Sequence, residues 1–132
     1  MRATPGLLTL RPGDANETLE LWKVALAQTH RPSCVVLSRQ ALPTLDRTKY
    51  APASGAAKGA YVLAAADNPE VLLLATGSEV GLAVAAYEQL KAEGVAAQVV
   101  SMPSWELFED QDQAYRDSVL PPTVKARVVV DI

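Results

Sequence analysis

Arg39 stands directly behind the apolar run at residues 34–37, inside Ser38-Arg39-Gln40, and it is the side chain in this sequence best placed to hold an anion. A guanidinium offers five donors in a rigid fork that matches phosphate or carboxylate, and each charge-assisted bond contributes about 1.5–3 kcal/mol. The same position also suits a structural ion pair, for instance with Asp46, or plain solvation. A second candidate is Thr76-Gly77-Ser78-Glu79, which follows the apolar run Val71–Ala75 and opens a helical pattern. Free amides at a helix start attract phosphate, but this segment has one glycine, no Walker lysine, and in Glu79 a carboxylate that repels an anion. The plainer reading is a capping box in which Thr76 and Glu79 satisfy two orphan backbone donors. The third candidate, residues 101–108, gathers Trp105 and the only phenylalanine, Phe108, into what reads as a loop. That much apolar area either anchors the next helix onto the sheet or meets a partner.

Other chemistry is thin. His30 is the only histidine and Cys34 the only cysteine, so neither a disulfide scaffold nor an all-protein zinc site is available. His30 reads as a surface cap at a helix end, and Cys34, inside an apolar strand, as buried and inert. No nucleophile and base pair by spacing. Twelve basic against fifteen acidic residues, net charge -3, leave no basic footprint for nucleic acid. The longest unbroken apolar run, residues 60–66, has seven positions, far short of the roughly 20 that cross a bilayer. The expected setting is soluble, reducing and cytoplasmic, and the chain reads as part of an enzyme, or as a binding module, without its own reaction centre.

The elements that position these residues alternate between short apolar runs and helical patterns, which points to an α/β fold with parallel strands. A strand at residues 7–10 runs into Arg11-Pro12-Gly13-Asp14, where Asp14 or Asn16 caps a helix with Glu17 in its first turn. Ala15, Leu19, Trp22 and Leu26 fall on one face of that helix, which ends near Thr29. With the strand at 34–37 this makes one right-handed crossover unit. Residues 41–58, with scattered Pro and Gly, show no sustained period and read as an interdomain linker. Strands are then expected at 60–63, 71–75, 97–101 and 127–130. Helices are expected at 80–93, with Val80, Ala83, Val84, Tyr87 and Leu90 as its stripe, and at 112–120. Open parallel sheets collect ligands outside the carboxyl ends of their strands, and all three candidate segments lie there.

Read together, Arg11-Pro-Gly-Asp-Ala-Asn-Glu-Thr18, Leu37-Ser-Arg-Gln40, Ala75-Thr-Gly-Ser-Glu-Val80, residues 100–112 from Val100 to Asp112 and Tyr115-Arg-Asp-Ser-Val-Leu-Pro121 resemble, in order and spacing, the late part of bacterial transketolase. The long 100–121 segment is the specific one, and the likeness leaves aside 41–58 and Asp131-Ile132. The resemblance implies an incomplete three-layer α/β/α chain with mostly parallel sheets, in two partial domains. Residues 1–40 would end a pyrimidine-binding domain, 41–58 would link, and 59–132 would begin a transketolase C-terminal domain. It implies a partial thiamine-diphosphate-dependent transferase of the pentose phosphate pathway. Such an enzyme moves a two-carbon ketol unit reversibly from a ketose phosphate to an aldose phosphate, using a divalent cation (Mg or Ca), and is a homodimer when complete. The cofactor, metal and catalytic residues of the family lie before the point matching Met1, so no catalytic, cofactor or metal residue is assigned, and the isolated chain is expected to be inactive. Arg39 alone carries over, as the group that binds the sugar phosphate. The family also runs on past Ile132, which suggests a gene fragment, a partial gene model or a truncated copy. The alternative is a non-catalytic module that binds a small anion at 76–79 or docks a partner subunit at Trp105.

Overall fold

The computed structural model describes residues 3–131; Met1, Arg2 and Ile132, the outermost positions of the two expected domains, lie outside them. In chain order the elements are β1 (Leu8–Leu10), α1 (Ala15–Ala27), β2 (Ser33–Val35), a 3-10 helix (Ala53–Lys58), β3 (Tyr61–Ala64), β4 (Val71–Ala75), a 3-10 turn (Gly77–Glu79), α2 (Val80–Ala92), β5 (Ala97–Ser101), α3 (Trp105–Glu109), α4 (Gln113–Val119) and β6 (Arg127–Val130). β1 and β2 pair in parallel, Leu8 opposite Ser33 and Leu10 opposite Val35. The second sheet has the order β3-β5-β4-β6, with β4 parallel to both neighbours and β3 antiparallel to β5. The fold is therefore mixed α/β with mostly parallel strands.

Strand alternation divides the core. Leu73 and Val99 face α2, where Val80, Val84 and Tyr87 meet them together with Leu8, Leu10 and Leu21 from the first unit. Leu72, Leu74 and Val100 point the other way, onto Phe108, Val119 and Val124. Successive strand residues reach opposite faces, so helices cover the sheet on both sides, and each fully buried leucine contributes about 1.5–3 kcal/mol.

Several expectations need correction. The Leu19, Trp22, Leu26 face of α1 is open to solvent, at 59, 46 and 80% exposure, while Leu21, at 0%, and Glu17 face inward. The two-stranded sheet is too narrow to cover a broad helix, and only its Leu21 side meets the core. β2 ends at Val35, two residues short of expectation, so Leu37 is exposed; Cys34, at the open edge of that sheet, is half-buried rather than buried. Within 41–58 the structure holds a 3-10 helix whose Ala53 and Ala56 are buried, with Leu45 and Tyr50 packed against the core. A single turn with alanines inside is too short to show a period. Residues 105–109 form α3 rather than a loop, capped by Ser104 Oγ, which accepts from Leu107 N. Phe108 is buried and Trp105 remains 44% exposed.

The two units are joined at the start of α3 and the residues just before it. The outer edge of β1 is sealed where Thr9 N donates to Glu106 Oε1 at 3.0 Å and Arg11 N to Pro103 O at 2.8 Å. Ser104 N in turn donates to Gly59 O at 3.0 Å. Gly59 has φ +88°, and a Cβ there would collide with the backbone of Ser104 and Phe108, so only glycine lets the 3-10 helix approach α3 this closely.

Candidate functional site

Val36 N still donates to Leu10 O at 2.8 Å, after which the chain leaves the sheet. Ser38 Oγ accepts from Gln40 N at 3.0 Å, and this small turn carries Arg39 between its two ends. Arg39 is exposed and, among the described residues, makes no hydrogen bond or ion pair. The carboxylate that offered an alternative partner is engaged elsewhere: Asp46 Oδ1 accepts from Thr48 Oγ1 at 2.6 Å and from Thr48 N at 2.9 Å. These bonds hold the Asp46 carboxyl below its usual range. Beside the turn, a cleft of about 340 Å³ lies between the first turn of α1 (Asp14, Ala15, Thr18) and Ser38, Gln40 and Leu42. The result is an unpaired guanidinium fork at a strand end next to a concave surface, an arrangement suited to an anionic tail on a small polar molecule.

The 76–79 junction is differently occupied. Gly77 turns the chain at φ +61°, and a Cβ there would lie 2.9 Å from Arg11 Nε. Arg11 is committed on both nitrogens, Nη2 to Glu79 Oε2 at 3.0 Å and Nη1 to Asp131 Oδ1 at 2.6 Å, while Ser78 Oγ donates to Glu79 Oε1 at 2.6 Å. The expected capping box does not form: Thr76 makes no cap bond, and Glu79 is drawn to Arg11 instead of back to the helix start. The negative charge that a cradle would take from a ligand is supplied by the chain itself.

Sequence reasoning missed a buried polar network between the units. Glu17, 1% exposed, accepts from Gly13 N at 2.7 Å, from Tyr61 Oη at 2.7 Å and from Ser101 Oγ at 2.6 Å. Arg47 donates to Tyr61 Oη at 2.9 Å, to Ala51 O at 2.9 Å and to Asp14 Oδ2 at 2.8 Å. Burial first, and then the Glu17 carboxylate, push the Tyr61 phenol upward. Burial works against the charge on Arg47, but the bonds to Tyr61 and Asp14 outweigh it and hold the guanidinium above its ordinary range. The visible signal was Asp14-x-x-Glu17, the spacing of a helix cap; Asp14 Oδ1 does accept from Glu17 N at 2.9 Å. Nothing local announced that Glu17 would face Tyr61 and Ser101, 44 and 84 positions away.

His30 is exposed beyond the end of α1. Among the described residues no group of three or more His, Cys, Asp or Glu side chains could hold a metal ion. Asp14, which lines the cleft, and Glu17, one turn on in α1, both accept from donors of this chain. Among the described residues the side chains therefore do not fit a divalent cation. Among the described residues no helix is long and apolar enough to cross a membrane.

Residues 1–44 match the family model of the transketolase pyrimidine binding domain, and residues 59–132 that of the transketolase-like TK C-terminal domain. The chain belongs to the transketolase family. It is 53% identical over 134 residues to the transketolase of Geobacillus stearothermophilus and 51% identical over 132 residues to transketolase 1 of Escherichia coli strain K12. These alignments take in 100% and 99% of the chain but 20% of either relative, so the chain spans about a fifth of their length. Among solved structures, a Pichia stipitis transketolase in complex with sedoheptulose 7-phosphate superposes with a TM-score of 0.90 at 40% identity, over 99% of this chain and 19% of that one. The Leishmania mexicana transketolase gives 0.87 at 38%, with the same coverage. These two transketolase structures follow the path of this chain over 99% of its residues.

Proposed function

We propose that this chain supplies the phosphate clamp of a transketolase, with Arg39 binding the phosphate of a ketose or aldose phosphate during reversible two-carbon ketol transfer. The observation that carries the reading is Arg39 itself: charged, exposed and without a partner among the described residues, at a strand end beside a cleft. Thiamine diphosphate and a divalent cation would supply the carbanion chemistry in a complete enzyme, and their ligands would come from polypeptide other than these residues. The chain's own part is to orient the sugar by its tail. In this reading residues 1–40 close a pyrimidine-binding domain, 59–132 open the C-terminal domain, and 41–58 join them. The complete enzyme would be a cytoplasmic homodimer of the pentose phosphate pathway.

The test is a chimera in which this chain replaces the matching stretch of the Escherichia coli relative. Arg39→Ala should raise KM for phosphorylated sugars tenfold or more, about 1.4 kcal/mol, and spare unphosphorylated donors. Equal losses on both would remove the phosphate role, and turnover by the 132-residue chain alone would overturn the division of labour.

A subunit-docking role at Trp105 has one observation in its favour. Trp105 and Val129 line a small apolar cleft, and Val128 and Val129 of β6 are about half exposed. Sedimentation that stays monomeric for both the wild type and Trp105→Ala would remove this second reading.

A further inference from the structure

Neither helix nor strand occurs between residues 36 and 52, the stretch that carries Arg39. An irregular segment of that length holds one course where packing and hydrogen bonds fix it, and two side-chain fixings bracket Arg39. On one side lies the Ser38–Gln40 turn. On the other, Leu45 N donates to Asp14 Oδ2 at 3.2 Å, and Arg47 Nη2 donates to the same oxygen at 2.8 Å. The Asp14 side chain is completely buried and that of Arg47 is 16% exposed. The other carboxylate oxygen of Asp14, Oδ1, caps α1 by accepting from Glu17 N. One buried group therefore ties the start of the helix to the returning end of the loop, through different oxygens.

We propose that Asp14 and Arg47 are positioning residues for Arg39: this buried pair fixes where the loop rejoins the protein, and hence where the guanidinium meets an anion. The proposal rests on the reading of Arg39 as phosphate clamp. A loop already held in its binding course loses less conformational freedom when the anion arrives, so more of the guanidinium–phosphate attraction appears as affinity. Arg47 is well suited to the tether, because its planar fork bonds Asp14, Ala51 O and Tyr61 Oη at once. The charges of the pair are satisfied by each other and by neighbouring dipoles, which allows them to stay buried.

Asp14→Asn separates the two roles of Asp14. The amide oxygen still accepts from Glu17 N, while the NH2 group now faces the Leu45 amide and Arg47, both donors. The isotopically labelled 132-residue chain is compared as wild type, Asp14→Asn, Arg47→Lys, Tyr61→Phe and Arg39→Ala. The readouts are heteronuclear NOEs of the backbone amides at 38–46 and titration with ribose 5-phosphate and with inorganic phosphate. Asp14→Asn should loosen 38–46 while the α1 amides keep their order, and weaken ribose 5-phosphate binding threefold or more. Arg47→Lys, which keeps the charge, should lose less. Tyr61→Phe removes one hydroxyl but leaves Asp14–Arg47 in place, so it should lower stability without moving either readout. If Arg39→Ala binds both anions as the wild type does, or the wild type binds neither, the clamp reading fails and this proposal with it. If Arg39→Ala abolishes binding while Asp14→Asn leaves loop order or affinity unchanged, or Tyr61→Phe weakens binding as much, the clamp stands and the positioning role is overturned. Should Asp14→Asn fail to fold, Arg47→Gln serves the same comparison.

Discussion

Glu17 shows at the residue scale how much one buried carboxylate can hold. Its two oxygens satisfy an amide and two hydroxyls from three separate segments, and each such group left buried and unmet costs about 1–3 kcal/mol. Glu17→Ala should therefore lower the free energy of urea unfolding by at least ~3 kcal/mol, out of a total on the order of 5–15. Glu17→Gln, whose amide oxygen still accepts, should lose clearly less. A loss below ~1 kcal/mol for the alanine variant would show that water replaces the network. Tyr61 gives a pH signature. Burial and the Glu17 carboxylate raise its phenol, so the folded chain keeps that proton more tightly than the unfolded one. The stability linked to it is complete below about pH 10, the unfolded value, and is lost as pH rises further. Tyr50 and Tyr115 are also shifted upward, mainly by burial, so the comparison is differential: between about pH 9 and about pH 11 the urea midpoint of Tyr61→Phe should fall less than that of the wild type.

Helix α1 makes the corresponding point among the elements. Its most regular apolar stripe, Leu19, Trp22 and Leu26, is the exposed one, and Leu21 carries the packing. Leu21→Ala should cost about 2–5 kcal/mol through lost contacts and a cavity. Leu26→Ala should stay within about 0.5 kcal/mol. Similar losses at both positions, measured by thermal and urea unfolding, would mean that the outer stripe is covered in solution. The sheet strands were far easier to read. Three consecutive leucines at 72–74 announce burial on both faces, and they are buried on both. The helix was misread because periodicity reports which residues share a face and says nothing about whether a neighbour lies against it. The 3-10 helix at Ala53–Lys58 was not legible at all, since its order comes from Gly59 and the backbone of Ser104 and Phe108.

The whole molecule is joined across the middle by groups far apart in sequence: Glu106 on the β1 edge, Pro103 on Arg11, and the Glu17–Tyr61–Arg47–Asp14 network. Trp22 lies in α1 of the first unit and Trp105 in α3 of the second. Single-tryptophan variants, Trp22→Phe and Trp105→Phe, should therefore unfold in urea with coincident midpoints; two separated transitions would show that the units melt independently. The sequence by itself determined the α/β class, the succession of strands and helices along the chain, a helix cap at Asp14 or Asn16 and the candidacy of Arg39, because alternation, capping and the chemistry of a strand end are local properties. Only the tertiary structure decided that Arg39 stays unpaired among the described residues, that Arg11 is consumed by Glu79 and Asp131, and that Asp14 anchors the loop beyond Arg39. Whether a charge is free or spent depends on which distant carboxylate folding brings within about 4 Å, and no spacing along the chain encodes that distance.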